Sequence, residues 1–358
     1  MNPAALMHAA LVRTALMRAF VLAAFLLCLA VVVLGAYVRL SDAGLGCPDW
    51  PGCYGHLTPA GAAADARTAI APLAGRPLDV GKAWREMVHR YAAGTLGFLI
   101  VCIAAMNIAW RRERIAPRAA VLALLAVVVL QGILGMLTVT WQLKPLIVTL
   151  HLLFGLTTLS LLWWLLLTLR ARHGAVWATA TTVINGRATG RVMTARCLGL
   201  VALIALTLQI ALGGWTSSNY AAIACPDFPT CQGSWWPQAD FHSAYVLWRG
   251  LAVDYEGGVL ASPARVAIHL THRLGALAAS LALVGAALAG LSLRANRQVR
   301  RAGAALLLML AVQLTIGISL VLRGFPLWLA TAHNAGAALL LLAVLALNRS
   351  LRPVPAGS

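Results

Sequence analysis

Residues 19–38 read AFVLAAFLLCLAVVVLGAYV, a run without a single charge. Twenty helical residues rise about 30 Å, the thickness of a bilayer's hydrocarbon core. The run is too long for a secretory signal, and no strong small-residue cleavage site follows it, so it reads as a span. Seven further runs of the same kind follow, at roughly 88–110, 118–138, 148–169, 195–214, 267–291, 302–322 and 327–347. The whole chain agrees: of 358 residues, 61% are hydrophobic and 11% charged, with a mean hydropathy of +0.83. A soluble domain carries about a quarter charged residues. The expected fold is an all-α polytopic membrane protein, its eight transmembrane helices forming two pseudo-symmetric parallel four-helix bundles.

The net charge of +18 first points to nucleic acid, but its distribution excludes that partner. The segments 1–18, 111–118, 170–196, 294–301 and 349–358 hold 17 of the 28 basic residues and one acid, Glu113. The opposite segments hold the other 11 basic residues and nine acids. The bases are dispersed in short loops with no interleaved aromatic platform, unlike a nucleic-acid surface. They mark orientation instead. By the positive-inside rule both termini face the cytoplasm, and the long loops 39–87 and 215–267 lie outside.

Those two loops carry nearly the same motif. Cys47-Pro-Asp-Trp-Pro-Gly-Cys53 and Cys225-Pro-Asp-Phe-Pro-Thr-Cys231 match at five of seven positions, 178 residues apart. His89-Arg90 answers His272-Arg273, Gln131 answers Gln313 and His151 answers His333, at offsets of 183, 182 and 182. The chain therefore reads as a duplicated four-helix unit, residues 1–175 and 190–348, joined by a polar connector within 170–196. Four spans per copy give both copies one orientation, related by an axis along the membrane normal.

The duplication singles out four of the nine histidines. His8 and His173 lie in cytoplasmic segments and His56 and His242 in outer loops, where a solvated side chain is the ordinary reading. His89, His151, His272 and His333 each lie near the start of an outside-to-inside span, at one depth near the outer face. Ionisable groups inside a membrane are costly and usually functional. Neutral imidazole is a common haem ligand, and helical bundles build cofactor sites from side chains on facing helices. The pairs His89/His151 and His272/His333 can each clamp one haem. Zinc would need a third or fourth ligand, and only His269, one turn before His272, stands near.

At one place the copies differ chemically. Three residues before the histidine stands Glu86 in the first copy and His269 in the second, each on the same helix face as its histidine. Glu86 is a candidate general base or stabiliser of developing positive charge; its plainer reading is an exposed acid at a helix N-terminus. Cys28, Cys102 and Cys197 lie in spans as apolar filler. Cys47/Cys53 and Cys225/Cys231 lie on the outer, oxidising side, where each pair would close a short loop. Two readings stand for them, a structural staple beside the haem or an exchangeable disulfide.

With these residues assembled, the chain resembles the haem A synthase family over essentially its whole length. The match is carried by Gly35-Ala-Tyr-Val-Arg39, Ala43-Gly44-Leu45 with the Cys47…Cys53 motif, Glu86-Met-Val-His89-Arg90, His151, His272-Arg273-Leu-Gly and His333-Asn334. The resemblance implies oxidation of the C8 methyl of haem O to the formyl group of haem A, for haem–copper cytochrome oxidases. It implies haem b as cofactor on His272 and His333, in the C-terminal unit. Substrate haem O would lie on His89 and His151 in a catalytic N-terminal unit, with Glu86 at the reacting edge. Arg39, Arg90 and Arg273 would pair with haem propionates. The implied partners are the lipid bilayer, haem O synthase (protohaem farnesyltransferase) as substrate donor, an electron acceptor and the cytochrome oxidase assembly pathway, with homo-oligomerisation open. No mitochondrial transit signature precedes the first span, so the expected location is a bacterial inner membrane.

Three other classes compete. A di-haem b electron carrier explains four histidines but not an acid in one copy only, and such carriers usually place their haems at two depths. A membrane thiol–disulfide oxidoreductase leaves the histidines idle. A repeat-built transporter lacks charged residues at the midplane.

Overall fold

The computed structural model describes residues 3–65, 77–111, 113, 115–174 and 186–352. The middle of the expected connector, 175–185, lies outside the described residues, as do Arg112 and Arg114 and the side chains of Arg172, His173 and Arg187. Among the described residues the structure is helical, with two isolated β-bridges, and eight helices are long and apolar enough to cross a membrane. We number these α1 (Pro3–Leu40), α2 (Val80–Ala109), α3 (Arg118–Thr140), α4 (Pro145–Gly174), α5 (Gly186–Ser218), α6 (Ser262–Ser292), α7 (Arg297–Leu322) and α8 (Leu327–Ser350). The eight expected spans are all present. Most helices run past the apolar stretch that announced them, because capping residues rather than the bilayer set their ends. Asp79 accepts from Lys82 N at 2.9 Å to start α2, and Asn296 accepts from Val299 N at 3.1 Å to start α7. Prolines 117 and 326 stand at the N-caps of α3 and α8, and Pro263 occupies the first turn of α6.

The chain divides into two compact units, Met1–Gln142 with Leu150–Ala180, and Leu143–Thr149 with Thr181–Ser358. In the first, α1 packs on α2 and α2 on α3. Gly135 of α3 abuts His151 of α4, and α4 returns to α1 through the stacked rings of Phe25 and Trp163, 5.2 Å apart, and through Arg18 donating to Leu169 O. In the second, α5 packs on α6, α6 on α7, α7 on α8 and α8 on α5. Each unit by itself is a closed ring of four helices.

The backbone repeats with the sequence. Left-handed residues recur at Asp42 and Tyr220, Tyr54 and Gln232, Gly55 and Gly233, all 178 apart. Gln142-Leu143 and Gly324-Phe325 do so 182 apart, turning α3 into α4 and α7 into α8. A positive φ is unusual for side chains such as Leu or Phe, so its return at the same place in both copies marks a shared turn rather than chance.

The first of these turns delivers Lys144 into the second unit. Its side chain is 1% exposed, with Nζ donating to Gly250 O at 2.5 Å and lying 3.1 Å from the centroid of the Trp248 ring. Thr149 and Ser218 face each other nearby, their hydroxyls 3.5 Å apart. A buried ammonium is tolerated only where carbonyl and ring together replace its water. Lys144→Ala removes the cation, leaves the carbonyl unmatched, and is expected to destabilise the protein by about 1–3 kcal/mol. Thermal unfolding of the detergent-solubilised full chain would read this as a Tm lowered by several degrees, and an unchanged Tm would refute it.

Candidate functional site

The imidazoles of His89 (α2), His151 (α4), His272 (α6) and His333 (α8) are half-buried, and each rests against a glycine of the preceding helix. A Cβ built on Gly35 (α1) would stand 2.8 Å from His89 Cε1, and one on Gly317 (α7) 2.9 Å from His333 Cε1. Gly213 (α5) faces His272 Cε1 at 3.2 Å, and Gly135 (α3) faces His151 Cε1 at 3.4 Å. Real Cβ contacts scarcely occur below 3.0 Å, so at Gly35 and Gly317 any side chain would displace the imidazole. Glycine on one helix and histidine on the next set each ring at a fixed place in the four-helix ring. His89 and His151, and likewise His272 and His333, are close enough for charge on one to act on the other.

This donor set fits haem. Each pair of neutral imidazoles would suit a haem iron, which takes histidine as a ligand. Buried Nδ1 atoms of His89 and His151 and buried Oε1 atoms of Gln131, Gln209 and Gln313 have no partner, as expected of rings and amides awaiting a further bonding arrangement. Among the described residues, no three His, Cys, Asp or Glu side chains come together to hold a metal ion, so His269 does not complete a zinc site.

Glu86 is 4% exposed, which overturns the plainer reading of it as an exposed helix-start acid. Both its oxygens are held. Cys47 N donates to Oε2 at 2.9 Å and Arg90 Nη2 donates to Oε1 at 2.5 Å. Arg90 in turn donates to four carbonyls of the outer loop, those of Cys47 (3.3 Å), Asp49 (2.8 Å), Pro51 (3.3 Å) and Gly52 (2.5 Å). Asp49 closes the loop from within, accepting from Tyr54 N at 2.6 Å and Gly55 N at 2.9 Å. The Cys47–Cys53 disulfide is formed, with its Cα atoms 4.7 Å apart. Glu86, Arg90 and the loop are thus one connected polar group. Removing one member of such a buried pair costs about 3–5 kcal/mol, because the other charge is left uncompensated.

The second unit builds the same loop without the acid. Arg273 donates to the carbonyls of Cys225 (3.4 Å), Asp227 (2.7 Å), Pro229 (3.4 Å) and Thr230 (2.7 Å), and its guanidinium lies 5.6 Å from the Phe228 ring centre. Cys225–Cys231 is paired. Asp227 accepts from Gln232 N, Gly233 N and the Thr230 hydroxyl. Where Glu86 stands in the first unit, His269 is 5% exposed, leaves Nδ1 unpaired and meets the Phe325 ring edge-on at 6.4 Å.

The structure therefore brings Glu86, His89, Arg90 and the Cys47–Cys53 loop together, and His272, Arg273 and the Cys225–Cys231 loop likewise. Arg90 and Arg273, expected at propionates, spend their donors on their own loops, each one residue beyond its histidine. Arg39 pairs with Asp42 at 3.7 Å at the outer end of α1. His56 pairs with Asp65 at 3.3 Å, away from the imidazole pairs. Gly135, Gly213, Gly317 and Gln209 are not singled out by the sequence analysis, and Gly35 enters there only as part of a family motif. Their signal was available: a glycine recurs at 35 and 213, and at 135 and 317, in step with the duplication.

A duplicated ring of four membrane helices, with paired imidazoles in each copy, defines the class, and comparison with known proteins places it. The family model described as cytochrome oxidase assembly protein matches residues 18–345. The heme A synthase of Shewanella oneidensis is 41% identical over 320 residues, covering 89% of this chain and 92% of that protein. The heme A synthase of Novosphingobium aromaticivorans is 29% identical, covering 88% and 89%, and that of Halalkalibacterium halodurans 26%, covering 85% and 86%. The chain belongs to the haem A synthase family, as its motifs implied.

Two outcomes follow from this geometry. A Cβ on Gly46 would fall 2.6 Å from the Lys82 carbonyl carbon and 2.7 Å from Ala83 N, both backbone. Gly46→Ala must therefore lift the loop and draw Cys47 N away from Glu86. Haem A recovered from membranes should fall about tenfold or more, in keeping with an overpacking cost of about 1–3 kcal/mol, and a normal yield would contradict the coupling. Asp227 is held below the usual carboxylate range by the Thr230 hydroxyl first and then by the Gly233 and Gln232 amides. A depressed carboxylate contributes stability above its unfolded pKa of about 3.9 and loses it as pH falls below. Fluorescence of the exposed Trp235 and Trp236 should change below about pH 4 in the native chain and not in Asp227→Asn.

Proposed function

We propose that this chain forms haem A, oxidising the C8 methyl of haem O to a formyl group for use by haem–copper cytochrome oxidases. One observation carries the reading: the duplicated loop and arginine hold a carboxylate in the first copy, where the second copy has a buried imidazole in its place. The N-terminal unit is then the catalytic one and binds haem O through His89 and His151. The C-terminal unit holds haem b through His272 and His333. Haem b, when bound, supplies one-electron chemistry.

In this reading the chain is an oxidoreductase acting on a CH group, and its residues act as follows. Glu86 lies three residues from His89, so the two share a helix face. Its oxygens are fixed by Cys47 N and Arg90 and still carry free lone pairs. These lone pairs orient a water or receive a proton released as the methyl carbon is oxidised. The anchored negative charge also stabilises positive charge developing at that carbon. Arg90 keeps the carboxylate in place and ties it to the loop. Arg39 remains the propionate contact, while Arg90 and Arg273 act on the haem edge through the loops they hold. The charge imbalance between segments supports cytoplasmic termini, with both cysteine loops and both haem sites on the periplasmic side. Haem O synthase delivers the substrate and an electron acceptor receives the electrons.

The test is Glu86→Gln with extraction and chromatography of the haems. General acid–base and charge-stabilising groups typically contribute about 10²–10⁴-fold, so haem O or a hydroxylated intermediate should replace haem A while haem b stays bound. Normal haem A formation would remove Glu86 from the mechanism. Haem b alone at two per chain, from the native protein, would favour the electron carrier instead.

A further inference from the structure

Three of the four helices that face a half-buried histidine share a five-residue pattern. It reads Gln131-Gly-Ile-Leu-Gly135 in α3, Gln209-Ile-Ala-Leu-Gly213 in α5 and Gln313-Leu-Thr-Ile-Gly317 in α7. The glycine is the one that admits the imidazole. The glutamine lies one turn away on the same face, and those of α5 and α7 reach the same histidine. Gln209 Nε2 lies 3.1 Å from His272 Nδ1 and donates to His272 O at 2.9 Å. Gln313 Nε2 lies 3.3 Å from His333 Nδ1 and 3.4 Å from its Nε2, and donates to His333 O at 3.1 Å. Gln131 Oε1 and His151 Nδ1 are both buried and unpaired, an acceptor and a potential donor.

The fourth helix departs from the pattern. In α1 the stretch reads Val31-Val-Val-Leu-Gly35. Gly35 corresponds to Gly213 at the repeat offset of 178, and Val31 corresponds to Gln209 at the same offset. Val31 is buried, and His89 Nδ1 is buried without a partner. The histidine-bearing helices record the same difference. A Cβ on Gly275 would lie 2.3 Å from Gln209 Oε1, one on Gly336 2.2 Å from Gln313 Oε1, and one on Gly155 3.0 Å from Gln131 Nε2. Each glycine stands three or four residues after its histidine and leaves room for the amide. After His89 those positions are Ala92 and Ala93. Glutamine and the space for it are both missing from one site of four.

An imidazole that binds iron through Nε2 carries its proton on Nδ1. A group that accepts that proton fixes the ring and strengthens the ligand, and losing it typically costs 10–100-fold in metal affinity. The two ends of a glutamine amide are distinguished by their bonding alone. Exchanging the amide's ends brings the unpaired Oε1 of Gln209 or Gln313 to Nδ1–H, in place of the bond from Nε2 to the histidine's carbonyl. We propose that Val31 makes His89 the releasing ligand of the first site, while the glutamine-held His272 and His333 keep their haem permanently. Substrate then enters and product leaves by breaking and re-forming the iron–Nε2 bond of His89. The electron pair stays on nitrogen, and the exchange needs no oxidant or reductant. This inference rests on the assignment of the two histidine pairs to haem.

The experiment loads the full-length, detergent-purified chain with ferric protohaem as probe and follows its transfer to excess apomyoglobin. The native protein should lose haem in one fast and one slow phase. Val31→Gln should slow the fast phase about 10–100-fold, and Gln209→Val should accelerate the slow phase by a similar factor. Val31→Leu, a packing control without an amide, should leave the fast phase as it was. Gln209→Glu retains an acceptor at Nδ1, so it should keep the slow phase and lower the midpoint potential of that haem, a shift that mere packing would not produce. A fast phase within twofold of native in folded Val31→Gln, or equal slowing by Val31→Leu, overturns the proposal. Should Val31→Gln not fold, an unchanged slow phase in Gln209→Val overturns it. The haem assignment fails separately: the native protein would then show no low-spin bis-histidine spectrum, or that spectrum would survive His89→Ala and His272→Ala together.

Discussion

An imidazole cannot lie within an apolar helix ring unless something makes room for it and something answers its polar atoms. Lipid offers neither, since every polar group at that depth must be satisfied by the protein itself. Glycine solves the first problem at all four histidines, letting a neighbouring helix approach the ring edge within van der Waals distance. That close approach also fixes how far along its own helix each ring sits against its neighbour. The four helices of each unit close into a ring around the resulting contacts. Moving any one of these glycines would therefore disturb the helix packing and the imidazole position together.

The second problem is answered unequally, and the inequality is where chemistry differs between copies. In the second unit, glutamines meet both imidazoles, an arginine holds the outer loop, and the place of the acid is filled by His269 against an aromatic edge. In the first unit the arginine is asked to do more. It holds its loop and a buried carboxylate at once, and the loop returns an amide to that carboxylate. A single disulfide-closed turn is thereby mechanically continuous with the acid beside His89. Two copies of one architecture can be specialised in this way by very few substitutions. In the proposed reading, acid for imidazole at one position and valine for glutamine at another carry the difference, on helices and turns common to both copies.

Much of this was legible in the sequence, for identifiable reasons. Span count follows from apolar run length, which is a property of composition. The duplication follows from residues too costly to keep in lipid without use, namely histidines and glutamine, and from cysteines in matched loops. Glu86 was found because the copies disagree there. Its burial was not legible, since a charged residue just before an apolar run is usually solvated. Only the folded loop brings Cys47 N and Arg90 to it, across 39 residues in one case and one helical turn in the other. Arg90 and Arg273 were legible as important but not as loop organisers, because the backbone carbonyls they hold leave no mark in sequence. Glycine in a membrane helix is common enough to pass unnoticed until the ring it touches is seen.

The matched positions of Arg90 and Arg273, each one residue after its histidine, matter for the same reason. A guanidinium with four carbonyl partners is immobilised, and its charge is spread over a closed loop rather than offered to a passing anion. Placed one residue beyond the histidine, it ties the depth of the ring to the shape of the outer loop. In the first unit the tie includes the acid, so a shift of that loop relative to α2 moves the carboxylate and the imidazole by the same lever. In the proposed oxidation of a single methyl group, the position of the carboxylate must be fixed to a fraction of an ångström. A rigid loop, rather than a free side chain, is what supplies that precision here.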